Sequence, residues 1–168
     1  MSRRDEVIDA AQRILQDEGL EALTMRRLGE SLSMRAPSLY KHVSGKDEIE
    51  AALQQRALQS LGVALGAAGV DLASLAAAYR GWALAHPRLY ELAARRPLHR
   101  DQLAPGVEAD AAAPLVAAVG ADPDAARALW AAAHGLVDLE LAGRFPPGAD
   151  VDAAWATVVR AFSGLTGS

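Results

Sequence analysis

The chain has no cysteine, so disulfides and thiolate metal sites are excluded. That absence fits a reducing compartment. No apolar run approaches the ~18 residues that a membrane span needs. The first residues, Met1 to Glu6, are charged and lead directly into a helical pattern, unlike a secretory leader with its apolar stretch; the expected location is the cytoplasm. Aromatic residues are scarce, and of the eight only Tyr40 precedes residue 70. Period-two alternation is missing throughout, as are internal repeats, a Gly-rich phosphate loop and a carboxylate pair placed for catalysis. An enzyme is therefore not expected.

What is abundant is alanine, 38 residues of 168. Alanine is the best helix former, so composition alone leans to an all-α fold. Apolar residues at helical spacing place a first helix over 3–18, with Gly19 just past its end. A second helix is expected over 25–31 with Thr24 as N-cap, a third over 36–43, and a fourth from Lys46 into the 60s, with Ser44 and Asp47 as a capping box. The Gly-rich stretch from Gly62 to Gly69 reads as the end of that helix and the domain connection. Further helices are expected over 72–86, 89–95, 108–119, 123–142 and 151–162. On the long one, Trp130, His134, Val137 and Leu141 form one stripe.

Net charge is −4, but its distribution is uneven. Between Thr24 and Lys46 there are five basic residues and one acid, Glu30, a local +4 against −8 for the remainder. A basic face on an acidic body is the footprint of phosphate binding. Two short helices joined by a tight turn within that window follow the helix-turn-helix plan, whose second helix fits the major groove while the first packs behind it. Leu28, Leu32, Leu39 and Val43 read as core.

The segment from Thr24 to Val43 resembles the DNA-binding head of TetR-family transcriptional regulators. Leu39-Tyr40-Lys41-His42-Val43 followed by Lys46-Asp47-Glu48-Ile49 carries the resemblance most specifically. The resemblance implies that Thr24, Tyr40, His42 and Lys46 contact phosphates. It also implies that Arg35, Ala36, Pro37, Ser38 and Lys41 face the groove and include the base readers. Arg35 is the first candidate for a guanine contact and Arg26 the second. Ser33, Arg35 and Val43 depart from the family's more frequent glycine, Ser or Thr, and Phe. In the second half, Tyr79 to Pro97 and the string Leu129-Trp130 to His134-Gly135-Leu136 resemble the sensing domain of a TetR subgroup marked by Trp-x-x-x-His-Gly.

These readings define residues 1–48 as the DNA-binding head, helix 4 (about 46–69) as the connection, and 70–168 as a ligand-binding and dimerisation domain, an antiparallel helical bundle. Pocket candidates are Tyr79, Trp82, His86, Tyr90, Trp130 and His134, which frame a cavity for a small apolar or aromatic ligand or else fill core. The final helix pair, with Leu129, Leu136, Val151, Trp155, Val158 and Phe162, is expected to pair with a second copy. His134 and Asp138 lie four apart, but two ligands do not make a metal site; neither metal nor cofactor is expected. The function expected is a ligand-responsive repressor binding a near-palindromic operator as a dimer. The alternatives are a regulator whose C-terminal domain only dimerises, or a small helical enzyme using His134 and His86.

Overall fold

A computed structural model describes residues 2–164, apart from the side chain of Ala36. Among the described residues every regular element is helical: α1 (Arg3–Glu18), a 3₁₀ turn (Leu20–Ala22), α2 (Met25–Ser31), α3 (Ala36–Leu39), α4 (Lys46–Ala68), α5 (Leu72–Ala85), α6 (Pro87–Ala94), α7 (Val107–Ala118), α8 (Pro123–Leu141) and α9 (Val151–Ser163). None of these helices is long and apolar enough to cross a membrane. The chain forms two compact units, residues 1–57 with 88–105, and residues 58–87 with 106–168.

In the first unit, α1 starts at a capping box in which Ser2 and Asp5 bond each other's backbone N–H, and it stops at Gly19, where φ is +90°. Val7, Ile8, Ala11, Ile14 and Leu15 are all buried, and each large aliphatic side chain removed from water contributes roughly 1.5–3 kcal/mol. Arg56 of α4 reaches back to α1, with Nη2 2.7 Å from Asp9 and Nη1 2.9 Å from the Gln12 side-chain oxygen. Residues 88–105 join this unit through Gln54 of α4, which is fully buried. Gln54 donates to the carbonyls of Leu92 and Pro97 at 3.2 and 3.0 Å and accepts from the His99 N–H at 3.1 Å. A single cut along the chain near residue 48 or 70 does not anticipate this return.

The second unit packs α5, α7, α8 and α9 together with the end of α4. Asp71, Asp122 and Asp150 cap α5, α8 and α9 by accepting from backbone N–H groups. Arg80 of α5 forks onto Glu140 of α8 at 2.9 and 2.7 Å and onto Asp152 of α9 at 2.5 Å. Its guanidinium lies 5.9 Å from the centre of the Trp155 ring, so one side chain joins three helices.

The structure corrects several expectations. Helix α4 does not lose definition at Gly62. It continues to Ala68 and stops at Gly69, where φ is +79°. Gly62 is a packing residue, since a Cβ there would lie 3.3 Å from Ala111 Cα. Helix α3 ends at Leu39, four residues short of the expected Val43. The start of α4 is held by Glu48 rather than Asp47. On α8 the buried face is Ala126, Leu129, Ala133 and Val137, so of the expected stripe Val137 is buried and His134 half-buried, while Trp130 and Leu141 are exposed.

Because Gln54 satisfies three backbone groups in an apolar setting, Gln54→Leu is expected to destabilise the protein by at least about 2 kcal/mol despite its greater hydrophobicity. Urea denaturation measures this; an unchanged midpoint would show that water replaces those bonds.

Candidate nucleic-acid interface

The site is built from the turn outward. Thr24 accepts from the Arg27 N–H at 3.1 Å, fixing the start of α2. Arg27 then turns away from solvent-facing work, with its Nε and Nη2 on the Glu18 carboxylate at 2.9 and 2.6 Å. This bidentate pair sets α2 against α1 and holds the Glu18 carboxyl below its usual range. At Gly29 the chain of the turn crosses α2 so closely that a Cβ would lie 2.8 Å from the Met34 carbonyl oxygen. The Met34 N–H closes the turn by donating to the Gly29 carbonyl at 2.8 Å. Ser33 bends the chain with φ at +53°; the position where glycine is frequent in the resembled heads is indeed left-handed here.

Leu32, expected in the core with Leu28, Leu39 and Val43, is only half-buried at the C-cap of α2, whereas those three are sealed behind the turn, as expected. With them inside, Thr24, Arg26, Arg35, Pro37, Tyr40 and Lys41 are exposed, and Ser38, His42 and Lys46 are half-buried. Tyr40 is 55% exposed, which separates it from an ordinary core tyrosine. The side chain of Ala36 lies outside the described residues. Met25, Arg26, Gly29, Glu30, Ser33, Met34 and Arg35 line an open groove of about 460 Å³. Arg26 is tied to Glu30 within it, while no ion pair holds Arg35 or Lys41 among the described residues.

At the start of α4, Glu48 accepts from the Ser44 N–H at 2.7 Å and the Ser44 hydroxyl at 2.9 Å, and from Arg4 Nε at 2.9 Å. The Ser44 backbone bond is the main reason that its carboxyl titrates below the ordinary 4.5. This clasp orients the start of α4, where the Lys46 ammonium lies 3.5 Å from Glu50. Sequence reasoning noted Glu30 as the one acid of the basic window and Glu48 within the Lys-Asp-Glu string but gave neither a role; the i,i+4 spacing of Glu48 to Ser44 and of Glu30 to Arg26 was the signal for one.

The residues singled out in the second half separate. Tyr79 and Trp82 are buried, and the Trp82 indole N–H donates to the Ser60 hydroxyl at 2.9 Å. The His86 ring stacks on Trp82 with centroids 5.5 Å apart, and its Nδ1 lies 2.9 Å from the Trp82 carbonyl. Tyr90 is buried in the N-terminal unit. Trp130 is 44% exposed and stacks on His134 at 5.5 Å. Of the residues expected at an interface between copies, Leu129 and Trp155 are instead buried by their own chain. Leu136, Val151, Val158 and Phe162 are half-buried. Among the described residues, no group of three or more His, Asp or Glu is placed to hold a metal ion.

Comparison with known proteins agrees with this geometry. The family model for bacterial regulatory proteins of the tetR family matches residues 7–53. The model for the tetracyclin repressor-like C-terminal domain matches residues 72–162. The HTH-type transcriptional regulator Rv0681 of Mycobacterium tuberculosis, itself uncharacterized, is 33% identical over 156 residues, covering 83% of this chain and 71% of that protein. Among solved structures, the regulatory protein SCO4313 matches with a TM-score of 0.78 and 28% identity over 96% of this chain and 95% of its own. The multidrug binding protein EbrR, solved in complex with imidazole, matches with a TM-score of 0.72 and 25% identity over 96% of each chain.

Two predictions concern the frame of the site. Gly29→Ala drives a methyl into a backbone carbonyl and is expected to destabilise by about 1–3 kcal/mol, whereas Ser33→Gly relieves a left-handed serine and is expected to gain up to about 1 kcal/mol. Thermal unfolding of both variants checks the pair. Secondly, a carboxyl with a lowered folded pKa stabilises above its unfolded value and loses that contribution as pH falls. Glu48→Gln is therefore expected to lower the melting temperature by a few degrees at neutral pH, with the deficit vanishing below the carboxylate range.

Two matched domains, a relative spanning most of both chains and a helix-turn-helix with its polar face outward together place this chain in the TetR family of DNA-binding transcriptional regulators.

Proposed function

We propose that the chain is a repressor that binds a near-palindromic operator as a homodimer and releases it when a small apolar or aromatic ligand binds its C-terminal half. The supporting observation is the exposed face of α2, the turn and α3. Leu28, Leu39 and Val43 are sealed inside, Thr24 and Tyr40 are exposed, His42 and Lys46 are half-buried, and Arg26 and Arg35 line an open groove. Hydroxyl, imidazole and ammonium donors suit phosphates, which fix register, and the guanidinium groups in the groove suit base edges. Pro37 and Lys41 are exposed and Ser38 is half-buried in the stretch that follows, and in this reading they meet the groove edge together with Ala36. In this reading residues 1–48 are the DNA-binding head, 46–69 the connecting helix and 70–168 the sensing and dimerising domain, in a cytoplasmic protein.

Repression is supported by the tetracyclin repressor-like C-terminal match. A small ligand is supported by the multidrug binding described for EbrR and by Tyr79 and Trp82 of α5 with His86 at its C-cap. A second copy is supported by the outward apolar side chains of α8, Trp130, Leu139 and Leu141. A dimer places two heads about one helical turn of DNA apart, which turns two weak contacts into one selective one.

A footprint of the purified protein on DNA flanking its own gene, at two salt concentrations, tests the reading. The expected result is a protected near-palindrome whose affinity falls steeply with salt. Tyr40→Ala, which removes an exposed donor and no core, is expected to weaken binding by about tenfold without changing stability. Absence of protection at low salt, on that DNA and on a random-sequence pool, would overturn it.

A further inference from the structure

Glu30 is a carboxylate on a face otherwise suited to a polyanion. It is the only acid between Thr24 and Lys46, and it lines the same groove as Arg26 and Arg35. Its Oε1 lies 2.5 Å from Arg26 Nη1. The two side chains are 50% and 81% exposed, so burial does not demand the pair. An exposed i,i+4 pair also adds little to helix stability. Against DNA, a negative charge at this position weakens binding to every duplex, because it repels the backbone irrespective of sequence.

The pair has a consequence that offsets this cost. A free guanidinium on a flexible stem finds the nearest phosphate. One already bonded through Nη1 is biased toward one place in the groove, with its other N–H donors left to engage a base edge in the bidentate manner that guanine O6 and N7 accept. Arg35, which lines the same groove with no ion-pair partner among the described residues, lacks that restraint.

We propose that Glu30 is a positioning residue for sequence discrimination: it withholds Arg26 from phosphates and presents it to a base. The proposal rests on the DNA-reading function above. Its test starts from a duplex selected by the wild-type protein from a random pool. Affinities are then measured for every single-base variant of that duplex and for a random duplex, at two salt concentrations, with wild type, Glu30→Gln and Arg26→Ala. Both altered side chains are exposed, and melting curves of the variants confirm folding.

Glu30→Gln is expected to bind the random duplex more tightly, with a salt dependence steeper by about one phosphate contact as Arg26 is released. It is expected to lose about tenfold discrimination at the same base position that Arg26→Ala relaxes. Retention of the wild-type base profile by Glu30→Gln would overturn the proposal and reduce the pair to a solvated helix contact. So would relaxation at a different position, or an Arg26→Ala variant that relaxes none. If the wild-type protein selects no sequence from the pool, the DNA-reading function itself fails and this inference falls with it.

Discussion

The closeness of α2 to the turn that follows it governs the display of every group on the exposed face. Gly29 lets the Met34 carbonyl lie where a side chain would otherwise stand, and the Met34 N–H returns to the Gly29 carbonyl. With that crossing in place, Leu39 and Val43 drop behind the turn into the core, and Arg35, Tyr40 and Lys41 are left outside. If the crossing opened by one methyl group, the buried leucine and the exposed cations could not both keep their places, because close-packed interiors do not stretch continuously.

Charge is distributed with equal economy. A chain of net charge −4 can approach a polyanion only if its cations are sorted by task. Arg27 is locked onto Glu18 and serves the frame, and Arg56 serves it likewise through Asp9. Arg80 performs the corresponding task in the C-terminal unit, joining Glu140 and Asp152. Arg35 and Lys41 stay outside such pairs among the described residues, and Arg26 is held by a single exposed carboxylate. Basic residues that look equivalent in a charge count thus divide into structural and displayed groups.

Much of this was legible in the sequence where a local rule decides the outcome. Helix α1 ends where its periodicity meets Gly19, and α2 begins where Thr24 can cap it. The exposed donors of the head lay in a short motif whose spacing is itself the signal. The failures occur where a distant contact decides. Gly62 looks like a helix breaker until Ala111 packs against it. Gln54 looks like a surface residue, because the backbone groups that it binds lie 38 to 45 positions away. The buried face of α8 is largely alanine, so a search for large apolar side chains selected the face of Trp130, which is exposed. The pocket candidates, large indoles and polar phenol and imidazole groups alike, divide between α5 with its C-cap, α8 and the N-terminal unit.

The central claim is that one face, built by residues 24–46, meets DNA. Hydrogen–deuterium exchange of the protein alone and bound to a selected duplex tests it most directly. The account predicts added protection concentrated in peptides spanning residues 24–46. Protection on other segments with residues 24–46 unchanged would contradict it.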